Sequence, residues 1–261
     1  MIIDTHAHYD DEKFDEDREE LLLSLKDAGI ERVINMGTCV KTSREAVKLA
    51  KTYAPVYAAV GIHPEEIADP DESRTEEIRA LAGEEKVVMI GEIGLDYYWV
   101  KDNKEEQKRV FREQLKLAAE LDLPVSVHSR DAAEDTLTVI TEEVALAKEK
   151  GQRLTGIIHC FGYSPEMAES FVKLGFLIGI GGVVTFKNSK KLKETVKEIP
   201  LEKLVLETDA PYLAPEPFRG KRNSSIFLPY VAETIAQIKG ITREEVEKVT
   251  TENAYRLIKG M

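Results

Sequence analysis

Short, nearly continuous runs of Val, Ile, Leu and Met recur along the chain at 2–5, 32–36, 56–61, 87–91, 124–128, 154–158, 175–180 and 203–208. They do not alternate apolar with polar, so each predicted strand is buried on both faces, as strands of a parallel sheet are. Between them lie charged stretches with helical spacing, at 17–28, 43–53, 72–81, 104–121, 131–150, 165–174 and 189–197. In the fourth, Val110, Phe111, Gln114, Leu115, Ala118 and Leu121 form one face repeating at three and four. Ser43 fits a helix N-cap, Ser164-Pro165 an N-cap followed by a first-turn proline, and Gly29 and Gly175 C-terminal caps. Two helices close the chain, at 227–239 and 242–258, the second opening on Thr242 and Glu245 in the spacing of a capping box.

Strands alternating with helices over 261 residues predict an α/β fold. The expectation is a (β/α)8 TIM barrel with an additional C-terminal helix, formed by residues 1–261 as one domain. An open doubly wound sheet is the competing arrangement. The five histidines favour the barrel. His6, His8, His63, His128 and His159 all follow the ends of apolar runs, and only a closed barrel brings so many strand ends to one mouth.

The formal net charge of -12 argues against broad capture of nucleic acid on a basic face, although a local positive patch remains compatible with it. Two cysteines, Cys39 and Cys160, do not make a disulfide framework and predict a reducing, cytoplasmic location. The chain starts on a strand rather than a basic, apolar leader, and no apolar run approaches membrane length, so no membrane association is expected.

His6 and His8 are two apart on an extended segment, so both imidazoles point the same way and can reach one ion. Glu92, between Gly91 and Gly94 at the end of the fourth run, has room to swing and can share its oxygens between two ions. His128 and His159 end the fifth and sixth runs, and Asp209 ends the eighth. Asp209 can ligate a metal and take the proton of an activated water. Glu207 faces the same side and supports the site from behind or pairs with a base inside the barrel. His6, His8, Glu92, His128, His159 and Asp209 exceed what one tetrahedral ion needs and suit two divalent ions. Mixed imidazole and carboxylate donors suit Zn, Mn, Fe or Co, while Mg alone favours more oxygen; Zn, Mn and Mg are the ions to test.

The segments Asp4-Thr5-His6-Ala7-His8, Gly61-Ile62-His63-Pro64, Gly91-Glu92-Ile93-Gly94-Leu95-Asp96, Val127-His128-Ser129-Arg130, His159-Cys160-Phe161 and Glu207-Thr208-Asp209-Ala210-Pro211 together resemble the TatD family of metal-dependent deoxyribonucleases. That family lies within the wider metallo-dependent hydrolase barrels. The resemblance implies one ion held by His6, His8, Glu92 and Asp209, and a second by Glu92, His128 and His159. It implies catalytic roles for Glu92 and Asp209, with His63 near a substrate phosphate. The segment Phe218-Arg219-Gly220-Lys221-Arg222-Asn223 matches the family's basic loop, but Ser224-Ser225 stand where family members commonly have Glu-Pro.

Arg219, Lys221 and Arg222 read equally as a phosphate grip, with Arg222 a substrate contact, or as a solvated charge cluster. Tyr97, Tyr98 and Trp99 follow the fourth strand and can stack on bases or close the barrel top. Cys160 reads as a buried, inert thiol. The resemblance implies a deoxyribonuclease, cutting DNA exonucleolytically in the 3'-5' direction, with no obligate protein partner and a monomeric state. The ligands alone say metal-assisted hydrolysis. The alternatives are a hydrolase of a C–N or ester bond, resembling amidohydrolases or aminoacyl-tRNA deacylases, and a non-catalytic barrel that binds a metal or partner.

Overall fold

A computed structural model describes residues 1–67 and 73–261. Its sheet has eight parallel strands in the order β1 to β8: Ile2–Ala7, Ile30–Met36, Val56–Val60, Val87–Asp96, Val125–Arg130, Gly156–Ile158, Leu177–Ile180 and Leu204–Leu206. Strand order follows chain order without a reversal, which excludes the doubly wound alternative. A parallel bridge between Ala7 and Ala210 and a hydrogen bond from Thr5 Oγ1 to the Leu206 carbonyl (3.0 Å) bring β8 back to β1. The result is a nearly closed TIM barrel.

The outer helices are α1 (Arg18–Ser24), α2 (Val40–Thr52), α3 (Ser73–Ala82), α4 (Lys104–Leu121), α5 (Ala133–Glu149), α6 (Pro165–Lys173), α7 (Lys190–Glu198) and α8 (Leu228–Lys239). The predicted start of α3 at Glu72 lies outside the described residues. An additional helix, α9 (Arg243–Leu257), packs across β1 and β8. Its Asn253 donates to the carbonyls of Leu201 and Leu204 (2.8 and 2.7 Å), and Ala254 and Leu257 join Ile3, Met36, Tyr57, Met89 and Val205 in a second apolar cluster. Ile3, Tyr57 and Val88 lie in the early halves of their strands. So α9 closes the barrel at its N-terminal end, opposite the histidines.

Two boundary expectations change. Ser43 is not an N-cap: α2 opens earlier, and Thr42 Oγ1 accepts from the amides of Thr38 and Cys39 (2.8 and 2.9 Å). Ser43 is instead buried inside the helix, where its hydroxyl accepts from the Gly61 amide at 3.2 Å. The first helix also stops at Ser24, so Gly29 (φ +83°) closes a turn before β2 rather than the helix itself. Thr242 does cap α9, accepting from the Glu245 amide at 3.1 Å.

The strand that matters most for the site is β4, which runs to Asp96 instead of stopping at Gly91. Its pairing with β5 shifts register between Ile90 and Ile93, and Glu92 sits in that irregularity. The Glu92 amide donates across to the Gly37 carbonyl (2.7 Å), which fixes the backbone that aims its carboxylate inward. Glu92, His128 and Asp96 are therefore held by paired strands, a more rigid support than loops give.

Candidate metal centre

Glu92 lies at the centre of the mouth, and its two oxygens face different partners. Oε2 lies 3.4 Å from His6 Nε2 and 3.6 Å from His8 Nε2. Oε1 lies 3.0 Å from His128 Nδ1, 3.6 Å from His63 Nε2 and 4.0 Å from His159 Nε2. Asp209 Oδ1 approaches His6, His8 and His159 at 3.8, 3.5 and 3.7 Å. His6 stacks on His159 with ring centroids 3.4 Å apart, and its Nε2 is 3.2 Å from that of His8. The structure thus gathers all six predicted ligands, and His63, in one cluster.

Each candidate ligand histidine has a protein partner for its outward nitrogen. His6 Nδ1 meets Ser126 Oγ (3.1 Å), and His8 Nδ1 meets the Met36 carbonyl (3.3 Å). His128 Nε2 meets Asp96 Oδ2 (2.9 Å). His159 Nδ1 lies 3.1 Å from Glu207 Oε1, though poorly aligned for a hydrogen bond. Such outer partners fix ring orientation and aim the inner nitrogen at the centre, where a metal would take the place of its proton. His63 differs. Its Nδ1 accepts from the Glu65 amide (3.3 Å), so in the neutral ring Nε2 carries the proton and faces the site as a donor.

The donor set fits divalent cations. The ion pairs of Glu92, Asp96, Glu207 and Asp209 run only to histidines among the described residues, with no Lys or Arg to balance this buried negative charge. Glu207 Oε2 is buried without a hydrogen-bond partner. His6, His8 and Asp209 lie within ligating reach of one another, as do His63, Glu92 and His128, and His159 with Asp209 and Cys160. Burial alone would raise the Glu92 pKa, but His63, His6 and His128 pull it well below the usual carboxylate range. Burial would lower His8 and His128, yet Asp209 and Glu92 hold the first up to about 9, and Asp96 and Glu92 the second. Burial, with Asp209 and Glu207, pushes the Cys160 thiol well above its ordinary value, which keeps it protonated.

Arg222 is held by protein partners. Its guanidinium donates to Asp17 Oδ1 (2.7 Å) and to the Lys13 carbonyl (2.6 Å) and lies 4.8 Å above Phe14. Arg219 sits over Phe186 and Lys221 over Phe218, at 4.2 and 5.9 Å. The basic loop is thus spread over separate protein partners, not gathered into one grip. Tyr97 also turns outward, its hydroxyl on Asp135 (2.6 Å) under the Lys104 ammonium. Tyr98 and Trp99 remain exposed.

Three supporting residues carried no predicted role. Asp96 binds His128. Ser126 binds His6. Asp4 is fully buried and accepts from Thr208 Oγ1 (2.7 Å), the Thr208 amide (3.0 Å) and Ser225 Oγ (2.6 Å), which ties β1 to the segment bearing Asp209. Ser225, one of the two serines replacing Glu-Pro, therefore braces the strand that carries His6 and His8. Asp209 itself has φ +59°, a conformation Asp tolerates better than most residues.

Fold and donor set define a metal-dependent hydrolase built on a TIM barrel. The family model described as TatD related DNase matches residues 3–259. The chain belongs to the TatD family of metal-dependent hydrolases. It is 47% identical over 259 residues to the uncharacterized metal-dependent hydrolase YabD of Bacillus subtilis, covering 99% of each chain. It is 36% identical over 251 residues to the 3'-5' ssDNA/RNA exonuclease TatD of Cronobacter sakazakii, covering 94% of this chain and 93% of that one. The crystal structure of YjjV, a TatD homologue from Escherichia coli K12, superposes with a TM-score of 0.89 at 32% identity, covering 98% of this chain and 97% of that one.

Proposed function

We propose that this chain is a two-metal deoxyribonuclease that hydrolyses single-stranded DNA from a 3' end. The observation that carries the two-ion reading is the split of Glu92: one oxygen faces His6 and His8, the other His128 and His159. Asp209 completes the first group, so one carboxylate would be shared by two ions, Zn, Mn or Mg. The relative named as a 3'-5' ssDNA/RNA exonuclease supports the substrate and polarity. Free Cys39 and Cys160 suit a reducing, cytoplasmic compartment, and no helix among the described residues is long and apolar enough to cross a membrane.

When bound, the ions supply Lewis acidity to a phosphodiester oxygen and lower the pKa of a water. The chain's own residues do the rest. Asp209 accepts a proton from the water as its oxygen attacks phosphorus. The bond from phosphorus to the 3' oxygen of the preceding deoxyribose breaks, and that oxygen takes up a proton from solvent. His63 donates from Nε2 to a non-bridging phosphate oxygen, a role its neutral tautomer allows and a ligand role would not. Burial lowers the His63 pKa to about 3, so the ring stays neutral across the physiological range.

The test is metal-loaded protein assayed on single-stranded and duplex DNA beside a panel of carboxylic esters and amides. Single strands should be shortened from the 3' end. Glu92→Ala should reduce turnover by at least about a hundredfold, a loss already reached by residues that only orient a ligand. Activity confined to an ester or amide would replace the nuclease reading with the alternative bond. DNA cleavage surviving in Glu92→Ala would remove the shared carboxylate from the mechanism.

A further inference from the structure

We propose that Tyr98, Trp99 and Arg130 form a stacking ledge that holds an unpaired nucleobase and its phosphate beside the metal centre. This inference rests on the nuclease reading and names how that site would recognise a strand. Trp99 is 61% exposed and Tyr98 44%. Their rings touch each other edge to face at 4.6 Å. Exposing two large rings side by side forgoes their burial, a pattern that marks a recognition surface.

The ledge is anchored to the site by one carboxylate. Asp96 Oδ1 accepts from the backbone amides of Tyr98 (2.9 Å) and Trp99 (2.7 Å), and Asp96 Oδ2 meets His128 Nε2 (2.9 Å). The group that orients a candidate metal ligand therefore also fixes the backbone of both rings. Arg130 ends β5, two residues after His128, and its guanidinium lies 4.3 Å from the Tyr98 ring centroid and 5.3 Å from that of Trp99. Across the sheet Arg130 pairs with Asp96, which places it at the mouth end of β5.

Among the described residues Arg130 has no carboxylate at ion-pair distance, in contrast to Arg222 on Asp17. A guanidinium held over aromatic rings without an acid partner is suited to a phosphate, and the free ring surface to a base. Every base has a π-face, so the ledge would tolerate sequence while requiring an unstacked base. A paired base in a duplex does not meet that requirement. Tyr97 has no part in it, being turned toward Asp135.

Trp99 is the chain's single tryptophan, so intrinsic fluorescence reports on the ledge alone. The probe is a nuclease-resistant phosphorothioate oligo-dT titrated into metal-loaded protein, beside a fully abasic strand of equal length and charge. Oligo-dT should change Trp99 emission and shield it from acrylamide; the abasic strand should not. Trp99→Ala should raise KM for single-stranded DNA by about 5- to 150-fold, the range of one lost base–aromatic stack, with kcat nearly unchanged. Trp99→Phe should restore most of the affinity, and Arg130→Ala should weaken the abasic strand as well. Cleavage of DNA with unaltered Trp99 emission and an unaltered Trp99→Ala KM would overturn the ledge while the nuclease reading stands. Equal responses to both strands would also overturn it. Failure to bind or cut any strand would overturn both readings.

Discussion

Nitrogen by nitrogen, the five histidines do different work. Four aim an inner nitrogen at the centre because the outer nitrogen faces Ser126, the Met36 carbonyl, Asp96 or Glu207. His63 reverses the arrangement by accepting at its outer nitrogen. The sequence shows that the histidines share an address, because strand ends can be read from apolar runs. It does not show which nitrogen is engaged, since the partners of His6, His8, His128 and His159 lie on or beside other strands; only the Glu65 amide is local to its histidine. Arg222 makes the same point: its partner Asp17 lies 205 positions away, beyond any local charge pattern. At this scale Glu207 is the residue to test. Glu207→Gln keeps an oxygen near His159 but loses the charge, and should lower metal affinity about 10-fold; Glu207→Ala should lower it about 100-fold. Competition with a chromogenic chelator measures both, and equal affinity in the wild type and both variants would remove Glu207 from the support of the centre.

Among the elements, β4 departs most from its expected bounds. Glycines in 91–96 read as a strand end, because glycine punctuates local structure. In the barrel they extend the strand past Glu92, since neighbouring backbones come closer than a side chain permits. A Cβ on Gly94 would lie 1.9 Å from the His128 carbonyl oxygen, and the residue has φ +146°. Gly94→Ala is therefore expected to destabilise the fold by about 3 kcal/mol or more, through overpacking and backbone strain together. Gly151→Ala provides the comparison: its φ is +70° but nothing lies within 4 Å, so only backbone strain of about 1–2 kcal/mol is expected. Denaturant midpoints of the two variants should separate accordingly, and similar losses would show that β4 and β5 can move apart. The helices were more legible because their amphipathic periods extend over several turns. Their ends were less so, as at Ser43, where a hydrogen bond to Gly61 outweighed the local capping preference.

For the molecule as a whole, the recurrence of apolar runs was enough to read a barrel, because a parallel sheet buried on both faces must be covered all round. That α9 would cross its floor had no signal in the helix's own pattern. The buried centre joins metal binding to proton release. Asp209, Asp96 and Glu92 keep the His8 and His128 pKa values near 9 despite burial, so both rings carry protons at neutral pH in the metal-free protein. A metal must displace them, so apparent affinity should rise with pH up to about 9 and fall as pH drops. Calorimetry at pH 7 in two buffers of different ionisation heat should find one to two protons released for the loaded centre; no release would contradict ligand roles for His8 and His128. Free metal at a hundred times its Kd should add about 2.7 kcal/mol to stability, and chelation should remove it.

The placement of α9 also settles how the molecule can be held. Thr251 Oγ1 of α9 donates to the Met1 carbonyl (3.0 Å), and Met261 packs against the apolar cluster that α9 closes. Both residues sit on the floor, across the barrel from the histidines. A surface linkage, fluorescent label or fusion partner joined at either one would leave on the far side from the mouth. Immobilised this way, every copy would present its histidine cluster outward, open to the surrounding solution.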